Sequence, residues 1–73
     1  MSMKLYPLVI EPTSTGYSAF LPDVPGCAAV GDTAEETRRN FQDALAAHFE
    51  AMGEIGEPIP EPRAVVGYVE VAA

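Results

Sequence analysis

This 73-residue sequence has few of the residue types that disulfide scaffolds, metal sites and nucleic-acid-binding surfaces require. It has one cysteine, one histidine, no tryptophan, and four lysines and arginines against eleven acidic residues. A single cysteine cannot form an internal disulfide, which excludes a disulfide-stabilised scaffold and fits a reducing cytosol. The formal net charge of −7 repels phosphate backbones and anionic lipids. The sequence therefore predicts neither direct nucleic-acid binding nor binding to a membrane surface.

Targeting and membrane-spanning segments are not evident either. The uncharged run near the start, from Leu5 to Ile10, is far shorter than the roughly 20 residues that cross a bilayer. The first four residues lack the apolar run and cleavage site of a signal peptide. An apolar fraction of 48% is too high for a disordered acidic tail. We therefore expect one cytoplasmic domain over residues 1–73, which buries only about 60% of the surface of its unfolded chain.

Three β-rich runs separated by turn residues occupy the first part of the sequence. Pro7 lacks a backbone N–H, so the first run should lie at a sheet edge. Gly16 can adopt a positive φ and marks the turn into the second run. Residues Pro22 to Gly26 mark the next turn, with Pro25-Gly26 as its strongest turn pair, and Asp23 is expected to cap it. The predicted strands lie at about 4–11, 17–21 and 27–30.

The clearest local signal in the sequence is a helix at about 34–52. Thr33 and Glu36 match a capping box, in which each side chain satisfies an otherwise unpaired backbone N–H of the first turn. Small and apolar residues then recur at steps of three and four, which predicts one stripe facing the sheet. The stripe consists of Ala34, Thr37, Phe41, Ala44, Leu45, His48 and Met52.

The opposite side of this helix is charged. Glu35 and Asp43 each lie four residues from Arg39, a spacing that favours ion pairs on the solvent side of a helix. Gly53 or Gly56 is expected to end the helix, because glycine readily adopts the left-handed conformation found at helix ends.

The last part of the sequence is extended and apolar. Proline at alternate positions from Pro58 to Pro62 prevents the helix from continuing, and residues 64–71 then have the composition of a fourth strand. The order β-β-β-α-β defines an α+β fold with a small antiparallel-rich sheet and one helix packed on one face. One helix cannot cover both faces, so another copy or a partner should cover the rest. We predict a homodimer or tetramer whose interface contains Val65, Val66, Tyr68, Val69 and Val71.

Three stretches carry a pattern that covers nearly the whole chain. The first is Tyr6–Glu11, leading through Gly16-Tyr17 into the second strand. The second is Leu21–Cys27, followed by Gly31–Glu36, and the third is Gly56–Pro62. Each alone is also an ordinary turn, cap or linker, but their order and spacing are specific. Together they resemble the HicB-like antitoxin family, whose small module has a partial ribonuclease-H-like fold.

The resemblance implies both a fold and a partner. It implies a single HicB-like domain with the β-β-β-α-β order reached above. It also implies an antitoxin that binds and masks a small basic HicA-like toxin, which cleaves messenger RNA. Many members of the family carry a further C-terminal DNA-binding segment. This sequence ends at Ala73 without one, so we expect no direct operator binding.

Acidic residues are the candidates for contact with such a toxin. Seven of the eleven lie in the helix and in the linker after it, and a cationic RNA-binding surface attracts carboxylates. Solubility alone is an equally good reason for acids on a surface. The candidate partner-binding residues are Glu35, Glu36, Asp43, Glu50, Glu57 and Glu61.

Residues suited to catalysis or metal binding do not form a set. Cys27 has no base placed beside it, and the only histidine, His48, belongs to the apolar helix stripe. The acids at strand positions, Glu11 and Glu70, do not supply the convergent carboxylates that magnesium-dependent chemistry requires. We therefore expect no catalytic residue, no metal and no cofactor, and we interpret the protein as a non-enzyme.

A second interpretation is a solitary oligomeric scaffold or regulatory module without a toxin. The absence of a DNA-binding segment favours it, because such a module lacks half of the usual equipment of the family. A small basic reading frame beside this gene would favour the antitoxin over the scaffold.

Overall fold

The chain folds as a three-stranded sheet followed by one helix. The computed structural model describes residues 3–73, so Met1 and Ser2 of the predicted domain lie outside the described residues. The strands pair antiparallel in the order β1-β2-β3, and the helix packs on one face of the sheet. This confirms the predicted α+β class with a small sheet. The elements are β1 (Val9–Pro12), β2 (Tyr17–Leu21), β3 (Val24–Gly31) and α1 (Ala34–Glu54).

The first strand is shorter than the predicted 4–11. The β1–β2 ladder begins at Val9, which lies opposite Phe20. The residue before Val9 would fall opposite Leu21, the last residue of β2. Beyond that point β2 offers no partner, and Pro7 has no N–H to donate to a ladder. Residues 4–8, which we call the first segment, therefore run alongside the core without joining the sheet.

The third strand is longer than the predicted 27–30. The turn predicted for residues 22–26 is present at Pro22-Asp23, but the prediction that Pro25-Gly26 forms part of it was wrong, because both residues belong to β3. Leu21 pairs with Val24, but Phe20 pairs with Ala28. Residues 25–27 therefore have no partner in β2, which is the definition of an irregularity or bulge in the ladder. Gly26 has φ of +86°, a left-handed conformation that glycine adopts without steric cost.

The predicted fourth strand at 64–71 was wrong: the described part of the chain forms no ladder after α1. Residues 64–68 lie along β1 but are separated from it by a groove of about 500 Å³. The β propensity of this segment is real, but propensity becomes a strand only where a partner offers its backbone groups. The observed order is β-β-β-α.

The core lies between the sheet and α1. Buried side chains come from β2, from β3 and from the helix. Tyr6 and Leu8 of the first segment and Ile10 of β1 pack against them. Phe49 also packs on this cluster, and its ring centroid lies 5.9 Å from that of Tyr6. Phe49 was missing from the predicted stripe, since it lies at the stripe's edge. The buried residues are Ala19, Leu21, Val24, Cys27, Thr37 and Phe41.

Both ends of α1 are capped by the signals present in the sequence. Thr33 is the N-cap, and its Oγ1 accepts the N–H of Glu36 at 3.0 Å. The reciprocal hydrogen bond from the Thr33 N–H to the Glu36 side chain is not formed in residues 3–73, so only half of the predicted capping box is present. At the other end the N–H of Glu57 donates to the carbonyl of Met52, and Gly56 has φ of +76°. This is the Schellman pattern, in which a left-handed residue after the helix lets the chain satisfy the last carbonyls. Gly56, rather than Gly53, is the glycine that terminates the helix.

The start of α1 approaches the end of β3 very closely. Thr37 is 0% exposed, and its hydroxyl donates to the carbonyl of Thr33 at 2.7 Å. A Cβ at position 31 would lie 2.7 Å from Thr37 Oγ1 and 2.9 Å from its backbone nitrogen. Only glycine at position 31 leaves room for the helix to lie where it does.

Replacing Gly31 tests this contact. We expect Gly31→Ala to lower the free energy of unfolding by about 1–3 kcal/mol, because the added methyl group displaces the helix backbone. Gly53→Ala is the matched control, since a Cβ there meets nothing within 4 Å, and it should leave stability unchanged or raise it by up to about 1 kcal/mol. Chemical denaturation monitored by circular dichroism measures both. Equal stability of the two variants would contradict the packing described here.

Candidate functional site

One side of α1 is lined by carboxylates. Glu35, Asp43 and Glu50 are exposed and Glu36 is half-buried. At 3.6 residues per turn these positions share the side of the helix opposite Phe41, which faces the core. We call this surface the acidic helix face, and it consists of Glu35, Glu36, Asp43, Glu50 and Glu54.

The acids at the two ends of this face have different physical roles. Glu35 and Glu36 lie in the first turn of α1, where a negative charge interacts favourably with the helix dipole. Glu50 and Glu54 lie near the other end, where no basic residue occupies the last turn. Carboxylates there oppose the dipole by a few tenths of a kcal/mol each. Helix stability therefore explains the first pair of acids but not the second.

The predicted ion pairs of Arg39 with Glu35 and Asp43 are not formed in residues 3–73, and that expectation was wrong. The salt bridge that the structure does contain joins Lys4 Nζ to Glu61 at 2.8 Å. Its hydrogen bond, more than the charge of Glu61, raises the pKa of Lys4 above its ordinary value. Glu61, a candidate for partner contact, is thus already engaged within the chain.

Two further contacts fix the segment after α1 against the first part of the chain. The Tyr6 hydroxyl donates to the carbonyl of Pro60. The N–H of Ala64 donates to the Asp23 carboxylate, with both oxygens at 3.1 Å. Asp23 was expected to cap its own turn, but it accepts a hydrogen bond from a residue 41 positions away. No local pattern could have indicated this, because the partner is brought there by the helix and the linker.

The apolar residues predicted for an oligomer interface lie in the open. Val65 is 92% exposed and Tyr68 is 95% exposed. We call residues 65–71 the C-terminal segment. Its remaining apolar members, Val66, Val69 and Val71, are also exposed. The described chain therefore does not cover these side chains itself.

A second groove lies between the first segment of the chain and α1. It has a volume of about 430 Å³, and we call it the helix groove. The core residues Leu21 and Phe41 are part of its lining, while Lys4 and Arg38 bring two positive charges to it. The other lining residues are Leu5, Tyr6, Leu8, Gln42 and Leu45.

Cys27 and His48 both lie near the irregular part of β3. Cys27 is buried, and burial raises the pKa of its thiol above the ordinary value, which lowers its reactivity at neutral pH. The His48 ring lies close to Gly26, the residue before Cys27, since a Cβ at Gly26 would be 3.9 Å from His48 Cε1. Both residues are therefore explained by packing, as the sequence interpretation held.

Residues 3–73 lack both a metal-binding cluster and a membrane-spanning helix. They contain no cluster of three or more His, Cys, Asp or Glu side chains placed to hold a metal ion. Their helix is not apolar enough over a sufficient length to cross a membrane.

Comparison with known proteins assigns the chain to a family. The family model described as HicB_like antitoxin of bacterial toxin-antitoxin system matches residues 6–72. The chain belongs to the HicB-like antitoxin family. Antitoxin HicB 1 of Photorhabdus laumondii is 41% identical to this HicB-like chain over 68 residues, which are 90% of the chain and 44% of that protein.

A phage protein is similar to the same extent. An uncharacterized 14.9 kDa protein of Haemophilus phage HP1 is 40% identical over 65 residues, which are 89% of this chain and 49% of that protein. The HicB-like chain thus spans about half the length of these curated relatives.

Solved structures carry the same fold. A chain of the structure described as HicA3 and HicB3 toxin-antitoxin complex matches with a TM-score of 0.71 and 35% identity, over 81% of this chain and 70% of that one. The Antitoxin HicB3 crystal structure matches with a TM-score of 0.66 and 37% identity, over 78% of this chain and 42% of that one.

The contact between Asp23 and Ala64 can be tested by proteolysis. Arg63, the residue before Ala64, is a trypsin site, and we expect Asp23→Ala to speed cleavage there on the order of tenfold, because a charged hydrogen bond that holds the site closed is lost. Asp43→Ala removes the same charge from the acidic helix face and is the control. Mass spectrometry of timed digests gives both rates. Identical rates in the two variants would show that Asp23 does not hold this segment.

Proposed function

We propose that this HicB-like chain is an antitoxin that binds and masks a small basic, mRNA-cleaving HicA-like toxin, acting by binding and not as an enzyme. The observation that carries the proposal is the match to the family over residues 6–72. The similarity to a chain of the HicA3 and HicB3 complex supports it. We place its action in the cytoplasm, where the toxin meets the messenger RNA that it cleaves.

The acidic helix face is the surface that we propose for toxin contact. A toxin that grips RNA presents cations, and an array of carboxylates is complementary to them. Glu50 and Glu54 favour this role because they oppose the helix dipole and so do not stabilise their own helix. Glu57 follows directly in the linker and is exposed. Glu61 has a smaller part in this proposal because Lys4 already pairs with it.

We also propose that the chain self-associates as a dimer or tetramer through the C-terminal segment. Exposed apolar side chains at five of seven consecutive positions are costly in water and mark an interaction surface.

A solitary oligomeric module without a toxin is the second candidate function, and these same exposed residues favour it. The two candidates differ in whether a basic protein is bound.

Capture of the toxin tests the antitoxin function. We expect the tagged chain, expressed in its native organism, to co-purify with a stoichiometric small basic protein that is released only at high salt or in denaturant, because the contact is largely electrostatic. Mass spectrometry identifies the bound protein. Recovery of the chain as a homo-oligomer with nothing bound would replace the antitoxin by the solitary module.

Charge reversal tests the acidic helix face. We expect Asp43→Lys and Glu50→Lys each to weaken toxin binding on the order of tenfold in calorimetric titration, because a carboxylate facing a cationic surface becomes a repelling ammonium. Glu11→Lys makes the same change of charge on β1, away from α1, and should leave affinity within about twofold. Equal losses from all three variants would indicate an effect of net charge rather than of this face.

A further inference from the structure

The helix groove is the place where this acidic chain concentrates positive charge beside apolar surface. The sequence has four basic residues, and two of them, Lys4 and Arg38, line this groove. Lys4 is paired with Glu61. The Arg38 guanidinium makes a long hydrogen bond of 3.4 Å to the Gln42 side chain and has no carboxylate partner in residues 3–73. The groove thus offers apolar side chains, among them the exposed Leu5, and one positive charge that is not neutralised.

The C-terminal segment has the complementary chemistry. Its side chains are apolar except for Glu70, its single charged residue, and all of its large apolar side chains are exposed. The chain is also more extended than its length requires. Its radius of gyration is 14.0 Å, against about 11 Å for a compact domain of 73 residues. An apolar segment on a chain of this shape needs a surface outside its own core.

We propose that the helix groove of one copy receives the C-terminal segment of a second copy, with Glu70 of the segment paired to Arg38 of the groove. The inference rests on the self-association proposed above and names its receiving site. Each copy carries both the segment and the groove, so two copies can exchange segments reciprocally about a two-fold axis, which gives a closed dimer rather than an open chain of copies. The apolar side chains of the segment then cover Leu5, which is 87% exposed, and the half-buried Leu8 and Leu45 of the groove.

Electrostatics selects this groove over the other surfaces of the chain. Two copies of charge −7 repel each other, so a segment that carries Glu70 docks only where a cation compensates it. The acidic helix face repels Glu70. The groove between β1 and residues 64–68 has no charged residue in its lining. The helix groove combines apolar lining with Arg38.

A charge-swap experiment tests the proposal. Sedimentation and light scattering of the purified chain over a range of concentrations give the dimer dissociation constant. We expect Arg38→Glu alone and Glu70→Arg alone to raise it about tenfold or more, because each places two like charges together. The double variant R38E/E70R restores the pair in reverse and should return the constant to within a few fold of the wild type. Arg39→Glu makes the same change at the next residue, outside the groove, and is the matched control.

The outcomes separate this proposal from those on which it rests. A wild-type chain that stays monomeric at all concentrations would overturn both the groove and self-association. A dimer that Arg38→Glu leaves intact, or that the double variant does not rescue, would overturn the groove alone. Toxin capture is measured on the same variants. If Glu70→Arg reduces capture but leaves the dimer unchanged, the segment contacts the toxin, and the proposed contact between copies is wrong.

Discussion

The close approach of α1 to the end of β3 is the constraint on which the rest of the molecule depends. Thr37 is completely buried there, and the absence of a side chain at Gly31 leaves room for it. This contact sets the position of the first turn of the helix over the sheet. The rotation of the helix then follows, because Phe41 and Leu45 must meet the core. With that rotation fixed, the carboxylates of the acidic helix face point to solvent on the other side.

The chain after α1 is held by three polar contacts. Two are made by Lys4 and Tyr6 of the first segment, and the third is made by Asp23 in the turn between β2 and β3. None of them is buried deeply, and together they replace the ladder that a fourth strand would have provided. They bring the chain back along β1 and leave residues 65–71 exposed. The exposed apolar side chains of residues 65–71 therefore follow directly after the last of these three contacts, at Ala64.

Charge is distributed unevenly, and the two proposed contacts follow that distribution. The acidic helix face collects five carboxylates on one side of α1, while the helix groove collects two of four basic residues where α1 meets the first segment. The basic partner and the second copy that we propose would therefore meet different places on the same helix. Membership of the antitoxin family supports the first proposal, and the uncovered C-terminal segment supports the second.

The sequence by itself determined the elements whose causes are local. The Thr33 cap, the helix stripe and the terminating glycine each depend on residues a few positions apart. Gly16 lies in the expected turn, but its φ is not positive, and a Cβ there would clash with the Gly31 carbonyl oxygen on the neighbouring strand. Tertiary structure decided what depends on distant partners. Asp23 accepts a hydrogen bond from Ala64, Glu61 pairs with Lys4, and β3 contains Pro25 and Gly26. Residues 64–71 have the composition of a strand, yet they remain unpaired, because a strand requires a neighbouring backbone within hydrogen-bonding distance and the fold places a groove there instead.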